Sequence, residues 1–369
     1  MPVFMDLHVG QGLTAKDVAL AHQADVRLQE KFHCHCLTYW MDEKRGNAYC
    51  LIDAPNKEAV YELHRNSHKQ LPDEIIEVNR RVVKAFLGRI HDPEVVDYLV
   101  DQKLKIFNDP GFRVILMIHL KDRKRLIFEN GEQKAEQYLI KFEKISENLI
   151  TKHNGVAAER EDNITVATFT SAIQAVSCSI ELQNFLHSES KNLNLKMANH
   201  AGHPVDKSLQ LFGKTLRFTE FLCCLEKKYK ISLSYTVKNL MESAHHSSLL
   251  NSPLINCVSK ADENFLENLL VVIYENWQNP NFEMDSYLKQ MSMSKSQLYR
   301  HCLKTTGISF NRLLRDFRLH KALMKLNSTH LNVAETAFET GFNSPSYFTR
   351  CFLKHFKMHP STYLDSFSS

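Results

Sequence analysis

Residues 332–360 read NVAETAFETGFNSPSYFTRCFLKHFKMHP. The spacing predicts a helix, a turn at Gly341, and a second helix opening at Ser344, whose Tyr347, Phe348, Cys351, Phe352 and His355 recur at helical period. That order is the layout of a helix-turn-helix. Residues 282–307, FEMDSYLKQMSMSKSQLYRHCLKTTG, repeat it, with a turn at Ser292 and Met293 and a second helix running from Ser294 to Gly307. Between the units, Ile308–Asn327 carries apolar residues at Phe310, Leu313, Leu314, Phe317, Leu319, Leu323, Met324 and Leu326. About nineteen helical residues span roughly 28 Å, and one turn of B-DNA is about 34 Å. One stiff helix of this length can hold two recognition helices in successive major-groove segments on one side of a duplex.

Charge along this region is split. From Asp262 to Leu288 there are six acids and no Lys or Arg, whereas from Lys289 to Lys357 twelve Lys and Arg face three acids, 12 − 3 = +9. A local excess of that size gains affinity for a polyanion by counterion release. A merely solvated basic face is the other reading.

In the first unit Leu298 and Cys302, four apart, belong to a buried face, and Ser296, Tyr299 and Arg300 to the other. In the second, Phe348 and Phe352 take the buried role and Pro345, Ser346, Thr349 and Arg350 point outward. Ser294 is the N-cap of the first unit's second helix, whose freed N–H groups also suit a phosphate, and Ser344 opens the corresponding helix of the second unit. Arg300 and Arg350 are the candidate guanine readers, since a guanidinium fork matches that base's paired major-groove acceptors. A phosphate contact is the alternative for each, and it is the reading for Lys304 and Lys354.

The residues Ala337-Phe338, Gly341-Phe342, Ser346-Tyr347-Phe348, Arg350, Phe352-Leu353-Lys354, Pro360 and Tyr363 resemble the DNA-binding domain of the AraC/XylS family of bacterial transcription regulators. The resemblance implies an all-α domain over 262–366 with two helix-turn-helix units that binds double-stranded DNA. Two positions depart from it: Lys357 stands where the family usually has glycine, and Leu364 where arginine is common.

The whole chain has 369 residues, 43% hydrophobic and 24% charged, with a formal net charge of +4. This is ordinary for a globular chain of two or three domains. The basic character is therefore local. Nine cysteines with no Cys-x-x-Cys pair point to free thiols in a reducing compartment. No run of 18 apolar residues occurs and the N-terminus lacks a signal-peptide pattern, so a cytoplasmic protein without membrane contact is expected.

Residues 1–84 read as strand, helix, two strands around a turn at Lys44–Asn47, helix and strand. This βαββαβ order implies a ferredoxin-like sandwich. Thr14 and Asp17 form an N-terminal helix signal. Six histidines fall between His8 and His68. Asp6 and His8 share a strand face, and His64 and His68 lie one helical turn apart, a spacing that presents two imidazoles to one ion. An exposed, solvated histidine pair is the bland reading. Cys34 and Cys36 fall on the strand face opposite His33 and His35.

The sequence MPVFMDLH, with Ala21-His22, Leu37-Thr38-Tyr39-Trp40, Cys50-Leu51-Ile52 and Ala54-Pro55, resembles a family of small bacterial nickel-binding proteins of ferredoxin-like fold. The resemblance implies a divalent transition metal, nickel first, held by some of Asp6, His8, His22, His64 and His68.

Residues 85–112 read as helix or linker. From 113 to 250 the predicted order is strand, a long helix over 131–154, a hairpin, helix, strand, helix and a closing strand. With Val166–Phe169 and Ala198–Gly202 this resembles the class III nucleotide cyclase fold. That family holds two divalent ions on two aspartates. Here the first position falls on His119 and the second near Asn163 or Asp162, while the ribose and phosphate positions fall near Arg217 and Phe221. The reading is a catalytically inactive relative that senses a small effector or forms a homodimer, with metal supplied through Asp122 or Asp162 as the alternative. The whole is a multidomain α+β chain, a DNA-binding transcription regulator controlled by its N-terminal domains. A nucleotide cyclase fused to a DNA-binding tail is the competing reading.

Overall fold

A computed structural model of the chain describes all residues except 94–96, 100–103, 108, 121–122, 162–163, 190–194, 226–230, 245–246, 283, 329–330 and 366–369. It begins with β1 (Val3–Val9), α1 (Ala15–Leu28), β2 (His35–Asp42), β3 (Asn47–Asp53), α2 (Lys57–Ser67) and β4 (Glu74–Val78). The sheet order is β2-β3-β1-β4, with β1 antiparallel to both neighbours. This is the expected ferredoxin-like sandwich. Thr14 and Asp17 form the capping box that starts α1. Because side chains alternate along β1, Phe4 enters the core under α1 and α2, while Val3 and Met5 enter a different core on the other face.

Next comes α3 (Arg80–Leu87), followed by the short hairpin of β5 (Asp97–Leu99) and β6 (Leu104–Ile106). The expected linker, 85–112, thus starts inside a helix, and its described residues pack back onto the first sheet. The Arg89 guanidinium lies 4.4 Å from the Trp40 ring and 4.7 Å from that of Phe107, and bonds the Tyr39 carbonyl. Leu104 is buried with α1. A cation stacked on two aromatic faces and a buried leucine together fold this segment, which the local sequence pattern did not reveal.

The middle domain contains β7 (Arg113–His119), α4 (Arg123–Asn130), α5 (Glu132–Lys152), β8 (Val156–Glu161), β9 (Ile164–Phe169), α6 (Ala172–Glu189), β10 (Lys196–Gly202), α7 (Gly213–Cys224), β11 (Ile231–Leu233), α8 (Tyr235–Ser243) and β12 (Ile255–Cys257). Its sheet runs β12-β11-β10-β7-β9-β8. Three elements escaped the sequence reading, α4, α8 and β12. The first is separated from α5 only by Gly131, at φ +80°. Along β7 the alternation again feeds two cores. Val114, Leu116 and Ile118 face α5, α6 and α8, while Ile115 and Met117 face α7 and the C-terminal domain.

That domain consists of α9 (Lys260–Asn276), α10 (Met284–Gln290), α11 (Lys295–Thr306), α12 (Phe310–Ser328), α13 (Val333–Glu339), α14 (Pro345–Phe356) and α15 (Pro360–Asp365). One apolar cluster runs from Met5 and Trp40 through α3 and the inner face of the middle sheet to α9, α11 and α12. A second closes the last unit around Phe348, Phe352 and Tyr363. The first three-quarters of the chain and the first helix-turn-helix therefore share a core. No helix among the described residues is long and apolar enough to cross a membrane.

Candidate metal centre and nucleic-acid interface

The alternation of β1 turns Asp6 and His8 inward, toward α1 and α2. Asp6 is 1% exposed, an unusual place for a carboxylate unless it is paired. Its Oδ1 accepts from the Cys50 backbone N–H at 2.9 Å, and its Oδ2 lies 2.8 Å from His64 Nε2. His8 Nε2 is 3.5 Å from Asp6. On the other edge of the His64 ring, Nδ1 is 3.3 Å from Asp25 and 2.9 Å from His68 Nε2. His68 Nε2 also lies 3.3 Å from Asp25, whose Oδ1 accepts from Ser67 Oγ at 2.5 Å.

Two groups of three donors result, Asp6 with His8 and His64, and Asp25 with His64 and His68; within each group the ligand atoms lie within 4.8 Å of one another. His64 belongs to both. Burial disfavours its charged form, but the two carboxylates outweigh burial and push the imidazole up to about 10. Burial likewise opposes the charge on Asp6 and Asp25, and the neighbouring imidazoles hold both well below the ordinary carboxylate range. A metal would take over the role of that proton. Two imidazoles and one carboxylate suit a borderline divalent ion. An imidazole that ligates through one nitrogen needs a partner for its other N–H, and a carboxylate stands at each edge of His64.

Of the residues singled out from sequence, Asp6, His8, His64 and His68 come together and His22 does not. Its ring lies 5.3 Å from that of Tyr39, and burial lowers its pKa. Asp25 was missed. Its signal was an acid on the stripe of α1 that also carries the buried Ala15, Val18 and Ala19.

In the C-terminal domain the expected recognition helices are α11 and α14. Ser294 and Gln297 form a capping box, and Ser344 caps α14 by accepting from the Tyr347 N–H. Leu298, Cys302, Phe348 and Phe352 are buried, as their spacing implied. Ser294, Ser296, Tyr299, Arg300, Lys304, Ser346, Arg350 and Lys354 are exposed; Ser344, Pro345 and Thr349 are half-buried. Among the described residues neither Arg300 nor Arg350 pairs with a carboxylate. Arg350 instead lies 5.3 Å from the Tyr347 ring, and Lys304 is 3.4 Å from Asp262 of α9. The helix joining the units, α12, has 19 residues.

Where the first unit ends α11 on Gly307 at φ 80°, the second ends α14 on Lys357 at φ 61°. A side chain in this left-handed region is strained. Lys357→Gly is expected to raise stability by about 1 kcal/mol, read as a higher urea midpoint.

In the middle domain the expected metal positions Asp122, Asp162 and Asn163 lie outside the described residues. His119 ends β7 with its ring 4.8 Å from that of His320 on α12, and burial pushes its pKa down to about 3. It is a neutral imidazole against a helix of the C-terminal domain. Phe221 is buried in the shared core and Arg217 lies against Tyr274 of α9.

These features define a chain with a histidine-carboxylate cluster at one end and paired, capped helix-turn-helix units at the other. Residues 4–78 match the family model described as nickel responsive protein SCO4226-like, and residues 287–366 match the model described as helix-turn-helix domain. The chain is similar to the transcriptional activator PerA of Escherichia coli O127:H6, 26% identical over 110 residues, which are 30% of this chain and 40% of PerA. It is also similar to the crystal structure of SCO4226 from Streptomyces coelicolor A3(2), 38% identical over 21% of this chain and 94% of that one, with a TM-score of 0.20. The structure of a bacterial light-regulated adenylyl cyclase aligns over 65% of this chain and 86% of its own, at 12% identity and a TM-score of 0.31, too distant to carry an argument. The chain spans no more than two-fifths of the length of three curated relatives that it matches.

Proposed function

We propose that the protein is a sequence-specific, DNA-binding transcription regulator that reads two successive major-groove segments. The observation that carries this reading is the pair of capped helices, α11 and α14, whose exposed arginines have no acidic partner among the described residues and whose spacing is fixed by one 19-residue helix. Ser296, Tyr299 and Arg300 would meet one groove segment, and Pro345, Ser346, Thr349 and Arg350 the next. Lys304, Lys354 and the two serine-capped helix starts would contact phosphate. Such a protein works in the cytoplasm, where the DNA is.

Selection of bound duplexes from a random pool by the full chain tests the reading. Arg300→Ala and Arg350→Ala are each expected to relax base choice within one half of the selected site at a cost of about 1–3 kcal/mol. Lys354→Ala should weaken all sequences alike and flatten the salt dependence. Unchanged base preference in both arginine variants would remove them as readers.

The N-terminal cluster is the proposed receptor for a divalent transition metal. The family of residues 4–78 puts nickel first, while copper and zinc compete for such donors. Asp6, His8 and His64 would hold the ion with Asp25 orienting His64, or Asp25, His64 and His68 would hold it with Asp6 in that orienting role. The middle domain is read as having no cyclase activity, and incubation with ATP or GTP and manganese is expected to give no cyclic product. A homodimer through this domain would have to use a surface other than the sheet face already covered by α7, α9 and α12.

A further inference from the structure

Between the middle and C-terminal domains lies a cavity of about 510 Å³, a volume in the range that small-molecule sites occupy. Its walls come from both sides. Met117 of β7, Val166 of β9, and Leu216 and Arg217 of α7 belong to the middle domain; Tyr274 of α9, and Lys321 and Met324 of α12, belong to the DNA-binding domain. Most of the lining is apolar, and the charged groups are not equivalent. Glu220 of α7 is satisfied, accepting from Tyr274 Oη at 3.2 Å and from Lys321 Nζ at 3.3 Å. Arg217 is not. Its guanidinium reaches only Gln210 Oε1, at 3.4 Å, and lies 5.2 Å from the Tyr274 ring, with no carboxylate partner among the described residues.

An unmatched guanidinium beside apolar walls selects a ligand with one compact anionic group on an apolar body. A polyphosphate fits less well. It would bring several negative charges toward Glu220, against charged side chains that sum to 2 − 1 = +1 (Arg217 and Lys321 against Glu220). We infer that this cavity binds a small organic acid, with its carboxylate on Arg217 and its body against Met117, Leu216 and Met324, and that occupancy sets how firmly α9 and α12 are held on the middle domain. Ligand and docking are coupled because half of the binding surface disappears when the domains part. A ligand shifts such an equilibrium only through its differential affinity for the two arrangements, and contacts to both walls supply it. The regulatory half of this inference rests on the reading of the C-terminal domain as DNA-binding.

The test uses the full chain, titrated calorimetrically with phenylacetate and indole-3-acetate, with their primary amides as uncharged counterparts, and with ATP. At least one of the acids is expected to bind, with affinity lowered about tenfold or more in its amide and in Arg217→Met, as loss of a charge-assisted pair implies. Met324→Trp, on a partly exposed helix position and so tolerated by the fold, should crowd the apolar wall where the ligand body lies and weaken binding. Binding of an acid should also change affinity for the selected DNA duplex in the parent and leave Arg217→Met unaffected. Failure of both acids to bind, equal binding of acid and amide, full affinity in Arg217→Met, or preference for ATP would overturn the assignment. Acid binding that leaves DNA affinity unchanged would overturn the coupling. A parent chain that binds no DNA at all would instead count against the regulator reading and leave the cavity to be judged by calorimetry alone.

Discussion

Replacing His64 with alanine is expected to lower the divalent-metal affinity of the full chain by about 100-fold or more, beyond what loss of an orienting partner alone produces. The reason is topological. Among the described residues His64 is the one side chain shared by both donor groups, with one ring nitrogen facing Asp6 and the other facing Asp25. The same change should cost about 3–5 kcal/mol of stability without metal, because it removes a positive charge from between two buried carboxylates. Two further variants separate chelation from folding. His8→Ala and His68→Ala each leave His64 and both acids in place, so both should fold; whichever loses more affinity identifies the ligating group, and the other marks the orienting side. Nickel and zinc titrations of the parent and the three variants decide this. A His64→Ala protein that is folded and binds metal like the parent would rule out the cluster as the receptor. If the parent binds tightly but DNA affinity is indifferent to metal, the ion is structural and control belongs elsewhere in the molecule.

The parts of this molecule that were legible in the sequence are those set by short-range rules. Caps marked helix starts at Thr14, Ser294 and Ser344, and alternation in β1 placed Asp6 and His8 on one face. Leu298, Cys302, Phe348 and Phe352 went inside because helical period left them no other side. What escaped depends on partners far along the chain. Asp25 stands out only as an acid on the apolar stripe of α1, and its partner appears when α2 brings His64 against it from 39 residues away. The segment after residue 84 has little apolar periodicity of its own, and folds because Trp40 and Phe107 sandwich Arg89. At β7, His119 was expected at a metal position; its neighbour is His320, two hundred residues on, an arrangement only domain packing produces.

That packing leads to an expectation about pH. Stability of the metal-free chain should be greatest at about pH 7 and fall on both sides. On the acid side, burial holds His119, His200 and His320 near pKa 3, against 6.5 in an unfolded chain. A group with a depressed folded pKa binds its proton more readily when unfolded, so below pH 6.5 acid favours unfolding. Each such group contributes about 1.4 kcal/mol per pH unit, and the three together should remove roughly 3–4 kcal/mol between pH 6.5 and 5.5. Burial lowers His22 and His203 in the same direction. The depressed carboxylates Asp6 and Asp25 add nothing in this window, because their unfolded counterparts titrate near 3.8. On the alkaline side the sign reverses. His64 is raised to about 10, so its stabilising charge is complete below pH 6.5 and is lost as pH climbs through 10. Bound metal should flatten this alkaline limb, since a coordinated imidazole has no proton to lose there, and leave the acid limb in place. Urea midpoints at pH 5.5, 6.5 and 9, with chelator and with nickel, measure both limbs. His320→Gln should shallow the acid limb by about a third. A flat profile between pH 5.5 and 6.5 would mean that these imidazoles are not held neutral. Because His119 and His320 face each other across the contact between β7 and α12, the acid limb should begin with loosening of the DNA-binding domain. Hydrogen exchange at pH 5.5 is therefore expected to rise first in α12.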